Sequence, residues 1–382
     1  MTKVLHLITS LNRGGIETWL LSMLREIPRS KCAMDFCCKG PDVGILATEA
    51  EQLGAKVLHC QLGINHVSFA HRLKDILLEG QYDILHNHLH TYSGVPTWVA
   101  RDLKIPVITS FHNTHFPPET RLARLPLLRQ LRSVYSVINI NYALRYSNLV
   151  TGCSQGVIDS LDPHGIKLQK RSRVLYYGVN IPTLSTSEER ASFRKSFGWS
   201  ADTPLVLHVG RLIEQKNHLG LLSIFQMVLE HIPTARLLLV GEGPLRPLIE
   251  DKIAKAGLSH AVCLLGIRDD VPELMSKCNV FLFPSFYEGF GIVILEASAA
   301  DLPIVASNIP GLNETVKDGQ TGIMHDVNNI GGMAASVVKF IKDRQDARQV
   351  GNAGRLWIQK DFSLQASSKQ LLDVYHEVIT NK

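Results

Sequence analysis

No stretch of this sequence is apolar for long enough to span a bilayer, none is of low complexity, and no short-period repeat runs through it. The seven cysteines, at positions 32, 37, 38, 60, 153, 263 and 278, are odd in number and include no C-x-x-C pair. Most lie in apolar, strand-like runs, so reduced and buried thiols are expected. Strong charge is missing too: a net +5 with 16 histidines gives no basis for a nucleic-acid partner, and fits an anionic small substrate or an acidic membrane surface. The opening apolar run, residues 4–8, is shorter than a signal-peptide core and leads directly to Asn12-Arg13-Gly14-Gly15, so a first strand is expected there.

What is present is material for two or three domains. The 382 residues, 45% hydrophobic and 20% charged, exceed one compact unit. Short β-rich runs at 4–8, 32–38, 56–58, 83–85, 107–110, 148–151 and 174–176 alternate with helical patterns at 16–27, 69–78 and 125–142. That alternation predicts a parallel, doubly wound α/β sheet. The polar stretch 183–189 reads as a linker or domain edge, after which the pattern restarts with strands at 205–209, 235–240, 261–265, 280–283 and 304–306. The expectation is a first domain at 1–182 and a second at 183–362, with a helix over 363–382 lying back on the first. Ligands in such sheets sit beyond the carboxyl ends of the strands, here in a cleft that the two sheets share.

The richest stretch follows the run at 280–283. Glu288 and Glu296 flank Gly289 and Gly291, which free the backbone to turn before an apolar helix. Unpaired N–H groups near Gly291, Ile292 and Val293, backed by the helix dipole, suit a diphosphate. Carboxylates repel phosphate, so Glu288 and Glu296 are matched to hydroxyls on either side of it; a structural Glu paired to a distant Arg is the alternative for Glu296. After the strand at 205–209, Arg211 and Lys216 bring a planar fork and a mobile point charge that could neutralise a diphosphate without a metal. A solvated basic loop is the plainer alternative. Gly241 and Gly243 allow close backbone approach, but the third glycine of a dinucleotide fingerprint is absent. Gly14 and Gly15 form a comparable loop after the first strand.

Histidines gather at two strand ends: His86, His88 and His90, then His112 and His115. A catalytic role for one of them, a metal site and a wet polar lining are all open. Arg121, Arg124, Arg129 and Arg132 interleave with leucines, which fits either an anionic bilayer surface or a solvated basic helix face.

Taken together, these residues resemble the retaining glycosyltransferases of family four, with the two-domain GT-B fold, over nearly the whole length. The opening 4–8 run with Gly14-Gly15-Ile16-Glu17, and Ser110-Phe111-His112-Asn113, are most similar to the capsular and exopolysaccharide branch. The E-x7-E pair Glu288 and Glu296, with Arg211 and Lys216 in a G-R-L-x-x-x-K setting, is specific in combination. The resemblance implies that Glu288 holds donor-sugar hydroxyls, Glu296 the ribose, and Arg211 with Lys216 the diphosphate. It further implies His112 beside the donor sugar, Gly15 at the diphosphate, Phe290, Gly291 and Ile292 at the phosphates, and the base near Gly266 and Ile267. Tyr176-Tyr177-Gly178-Val179-Asn180 departs from the N-G-V-D of many relatives, which puts the hinge contact in doubt.

The implied activity is transfer of a sugar from a nucleoside-diphosphate sugar, UDP-linked by the resemblance, to a lipid-linked or saccharide acceptor. It would proceed with retention, without metal or other cofactor, in the cytoplasm or at the inner face of the membrane. Two alternatives stand beside it: a nucleotide-sugar-binding subunit without turnover, and a metal hydrolase built on His86, His88 and His112.

Overall fold

A parallel sheet is covered on both faces, so its strands are apolar along their whole length and the turn-rich ends carry the polar residues. The computed structural model describes residues 1–114, 126–162, 168 and 171–380, with only the main chain at 126–129. It divides into two compact units, Met1–Gly178 with Leu364–Lys382, and Val179–Ser363.

The first unit holds β1 (Thr2–Ile8), β2 (Cys32–Cys38), β3 (Val57–His59), β4 (Ile84–Asn87), β5 (Val107–Phe111), β6 (Leu149–Gly152) and β7 (Ser172–Val174). They form one parallel sheet in the order β3-β2-β1-β4-β5-β6-β7. The chain reverses its winding direction between β1 and β4. A crevice opens there, beyond the strand ends. The C-terminal helix Leu364–Thr380 completes this unit by packing on the helix Gly15–Glu26, where Trp19 Nε1 donates to Ser367 Oγ at 2.9 Å. Leu371, Val374, Tyr375 and Val378 are buried along its inner face.

The second unit holds β8 (Leu205–Val209), β9 (Arg236–Val240), β10 (Val262–Gly266), β11 (Val280–Phe283), β12 (Ile304–Ser307) and β13 (Gly322–His325). Their order is β10-β9-β8-β11-β12-β13, again all parallel, and the reversal falls between β8 and β11. Val206, Leu237, Leu239, Val280, Leu282 and Val305 form the core on one face of this sheet.

Two local expectations change. The stretch 183–189 is not all linker: Thr186 caps the helix Ser187–Ser196 in a capping box, with Thr186 N donating to Glu189 Oε2 at 2.7 Å and Glu189 N to Thr186 Oγ1 at 3.2 Å. The strand β13 was not expected, because a four-residue run opening on glycine and ending on histidine carries no strand pattern of its own and is specified by its pairing with β12. All seven cysteines are free; burial pushes Cys32 and Cys278 up to about 12, while a hydrogen bond from Cys37 brings Cys60 down to about 7. Among the described residues, no helix is long and apolar enough to cross a membrane.

Candidate functional site

In the second unit, the loops after β8 and β11 face each other across the point of reversal and are laced by three hydrogen bonds. Asn217 Nδ2 donates to Pro284 O at 3.0 Å, Gln215 Nε2 to Tyr287 O at 2.9 Å, and Phe286 N to Gln215 O at 2.9 Å. Asn217 is left-handed at φ 52° and caps the helix His218–His231 by accepting from Gly220 N. This lacing fixes Lys216. Its Nζ lies 2.5 Å from Glu288 Oε1 and 4.8 Å from the centre of the Phe283 ring. The side chains are only 15% and 7% exposed, so two sequence-predicted residues from separate loops meet in a shielded ion pair.

Beyond Glu288 the chain turns at Gly291, whose φ of 69° is natural for glycine and which precedes the helix Ile292–Ala299. Phe290 is buried, while Gly291 and Ile292 are partly exposed at the helix start. The N–H groups there have no intrahelical partner, as any helix start dictates. Glu296 lies on the same helix, partly buried beside Ile294, Leu295 and Ala297. Burial pushes its carboxyl up to about 7. Its carboxyl makes no hydrogen bond or ion pair among the described residues, so no described Arg holds it as a structural Glu.

Further polar atoms point the same way. Ser285 Oγ after β11, Ser307 Oγ at the end of β12 and His208 Nε2 on β8 are buried without a hydrogen-bond partner. Each is an atom whose missing bond a ligand or a water could supply; others, among them Arg190 Nε, Arg236 Nε and Gln370 Oε1, lie on other elements. Sequence reasoning missed all three, since nothing local distinguishes a strand-end serine from a structural one. Arg211 is exposed on the loop after β8 and has no side-chain partner among the described residues. Gly241 N donates to Gly266 O at 2.8 Å and Gly210 N to Val240 O at 2.9 Å, so the ends of β8, β9 and β10 are joined. A Cβ on Gly241, where φ is 134°, would collide with Gly210 O. Ile267, just after β10, is 61% exposed, a large apolar surface available to a flat ring.

In the first unit, Gly15 begins the helix Gly15–Glu26, and the Glu17 side chain folds back against Gly14. Among the described histidines, His86 and His88 are buried and so are not a wet lining, whereas His90 and His112 are partly exposed. His86 and His88 are buried on or beside β4, and β1 contributes His6, which sequence reasoning missed because it lies 80 residues away in the chain. Ring nitrogens of His6, His86 and His88 lie within 4.8 Å of one another, so the tight trio contains His6 and not His112. The donor set imagined for a hydrolase therefore does not form. His88 Nδ1 is turned instead to His112 Nε2, at 2.9 Å. Burial lowers the pKa of each, to about 3 for His6 and to about 4 for neighbouring His90. His115, Arg121, Arg124 and the Arg129 side chain lie outside the described residues; Arg132 Nη2 donates to Tyr92 Oη at 2.6 Å.

Two family models match: Glycosyltransferase Family 4 over residues 13–182, and Glycosyl transferases group 1 over residues 189–357. The chain is 32% identical over 290 residues to the alpha-D-kanosaminyltransferase of Streptomyces kanamyceticus, covering 74% of this chain and 73% of that protein. It is 24% identical over 388 residues to the UDP-Gal:alpha-D-GlcNAc-diphosphoundecaprenol alpha-1,3-galactosyltransferase of Escherichia coli, covering 100% and 98%. The crystal structure of HepE from Anabaena in complex with UDP-glucose superposes with a TM-score of 0.82 at 21% identity, covering 99% of this chain and 100% of that one. With two Rossmann-like parallel-sheet units and these relatives, the chain belongs to glycosyltransferase family 4 and has the GT-B fold.

Proposed function

We propose that this protein is a retaining, metal-independent hexosyltransferase that moves a sugar from a UDP-sugar to a lipid-linked or saccharide acceptor in cell-surface polysaccharide synthesis. The observation that carries the reading is the Lys216–Glu288 pair, a cation and a carboxylate held together beside a glycine-started helix at the sheet's point of reversal. Support for the donor comes from HepE, crystallised with UDP-glucose, and for the acceptor from the E. coli relative, whose name specifies a sugar on diphosphoundecaprenol.

In this reading Lys216 and Arg211 neutralise the diphosphate, aided by the amides of Phe290, Gly291 and Ile292, with Gly15 as a further diphosphate contact. Glu288 accepts from donor-sugar hydroxyls, Glu296 from the ribose hydroxyls, and Gly266 with Ile267 receives the base. His112 serves the donor sugar. As the bond from the anomeric carbon to the phosphate oxygen breaks, charge grows on the leaving diphosphate, where the fixed cations and amides stabilise it. The acceptor hydroxyl attacks on that same face and gives its proton to the departing phosphate oxygen. No paired carboxylate nucleophile of the retaining-hydrolase kind is invoked.

The helix Pro126–Tyr146 supports a place at the cytoplasmic face of a membrane. Leu131, Val134, Val137 and Ile138 are each more than half exposed and lie within about a third of the helix's circumference, continuing the arginine-rich segment. The test of the reading is incubation with a panel of nucleotide sugars and a polyprenyl-diphosphate sugar acceptor, followed by NMR of the product anomer. UDP release with an anomer matching the donor is expected; inversion, or transfer only from a purine nucleotide sugar, overturns it.

A further inference from the structure

The buried histidines of the first unit form one unbroken hydrogen-bonded chain with side chains from four strands, the segment after β7 and the C-terminal helix. Thr151 Oγ1 meets Ser110 Oγ at 2.5 Å, Ser110 Oγ meets His86 Nε2 at 2.6 Å, and His86 Nδ1 meets Tyr375 Oη at 2.9 Å. Tyr375 Oη reaches on to His6 Nε2 at 3.1 Å, His6 Nδ1 to His88 Nε2 at 3.1 Å, and His88 Nδ1 to His112 Nε2 at 2.9 Å. His112 Nδ1 meets the hydroxyl of Tyr177, which also bonds the thiol of Cys153. Every ring nitrogen in the series is engaged.

A neutral imidazole has one N–H and one bare nitrogen, and a hydroxyl has one proton to give. Such a series is satisfied only when every link donates in the same direction. Two arrangements meet that condition, from Thr151 towards Tyr177 or the reverse. Turning one ring's proton alone would set two donors or two bare acceptors face to face at a ring-to-ring link, or leave a hydroxyl proton without an acceptor, and either is unfavourable in a buried place. The tautomer of His112 is therefore tied to Tyr375, three links away. Burial favours the neutral ring at all four histidines, as the arrangement requires.

We propose that this series is a positioning device: Tyr375, His6 and His88 are positioning residues that hold His112 in one tautomer and one orientation, so that His112 serves the substrate through its main chain and not through a ring nitrogen. The kinetic half of this inference rests on the reading of His112 as a residue that faces the donor sugar. The C-terminal helix thereby acts on the chemistry of a loop 263 residues before Tyr375 in the chain.

The experiment is Tyr375→Phe in the full chain, which removes the one hydroxyl joining His86 to His6 and keeps the ring. Glu377→Ala, which removes the same helix's ion pair with Arg173 and none of the side chains of the series, is the control. Long-range proton–nitrogen NMR of histidine-labelled protein reads the His112 ring directly, with or without turnover. In the parent, His112 is expected to show one protonated and one bare nitrogen of fixed identity and no titration near the ordinary histidine value of about 6.5. In Tyr375→Phe the two nitrogens average, kcat falls roughly tenfold, and the donor KM stays within about twofold. His88→Gln, which alters the ring that touches His112 itself, gives the same pair of changes should Tyr375→Phe not fold. Three results overturn the proposal: an unchanged His112 spectrum in both variants, a parent His112 that titrates near 6.5, or stoichiometric zinc on His6, His86 and His88 in the purified chain. If the parent transfers no sugar from any donor, the functional reading fails, and the ring-nitrogen spectra still decide whether the relay exists.

Discussion

Lys216 and Glu288 stand 72 positions apart in sequence and 2.5 Å apart in space, closing a loop-to-loop bridge over the ends of β8 and β11. Removing one partner leaves the other charged and poorly hydrated, a loss on the order of 3 kcal/mol in comparable buried pairs. Lys216→Met and Glu288→Gln are each expected to lower the denaturation midpoint, and the double variant to be more stable than either single one. All three should lose transfer by at least about a hundredfold. Chemical denaturation and initial rates on the same samples check this; additive destabilisation in the double variant would show that the two side chains do not interact.

Glu296 gives a pH prediction with a definite sign. Its carboxyl holds its proton up to about 7 in the folded chain, against an ordinary 4.5, because burial disfavours the charge. Between those values the folded state binds a proton that the unfolded chain has released, so stability contributed by this group is complete below pH 4.5 and lost as pH rises through 7. Glu296→Gln, with no donor present, should thus be more stable than the parent at pH 8 by roughly 3 kcal/mol, and equal to it at pH 4. The same change should weaken UDP binding at pH 8 by removing an acceptor for the ribose hydroxyls. A stability difference that does not vary with pH would show that the carboxyl does not titrate in this window.

The last helix is structural as well as mechanistic. Trp19 Nε1 is buried and donates to Ser367 Oγ, so Ser367→Ala leaves an unpaired indole N–H and is expected to cost about 1 to 3 kcal/mol. Ending the chain at residue 363 would expose the surface that covers Leu371, Val374 and Tyr375, and the first unit should then aggregate on expression. A soluble truncated chain with an unchanged melting profile would contradict the packing.

On the proposed reading, Lys216 and Arg211 neutralise the diphosphate without a divalent ion. Transfer should therefore survive exhaustive chelation with EDTA, with less than about a twofold change in rate, when assayed against an untreated sample. Recovery of activity only on adding magnesium or manganese would refute this.

Much of the architecture was legible because parallel strands announce themselves as apolar runs: β2, β8 and β11 begin and end where their hydrophobic stretches do. The short strand β13 was hidden, since its stability comes from β12 and not from its own residues. Of the candidate site, Glu288 and Lys216, which the structure brings together, could be singled out from their neighbours, because glycines and a strand end mark where a loop can meet a ligand. The relay could not be read. His6 and His86 are brought side by side only by the pairing of β1 with β4, and Tyr375 in sequence is one more residue on the apolar face of a helix. The capping box at Thr186 was legible in principle, from Thr186 followed three residues later by Glu189, and the polar composition masked it.

The second unit is proposed to seat a uridine diphosphate group through Lys216, and calorimetric titration reads that binding without need of an acceptor. Titrating UDP, GDP and ADP into the full chain should give one-to-one binding of UDP, at least tenfold weaker binding of the purine nucleotides, and loss of the UDP signal in Lys216→Ala. Equal heats for parent and Lys216→Ala, or no binding of any of the three nucleotides, would contradict the account.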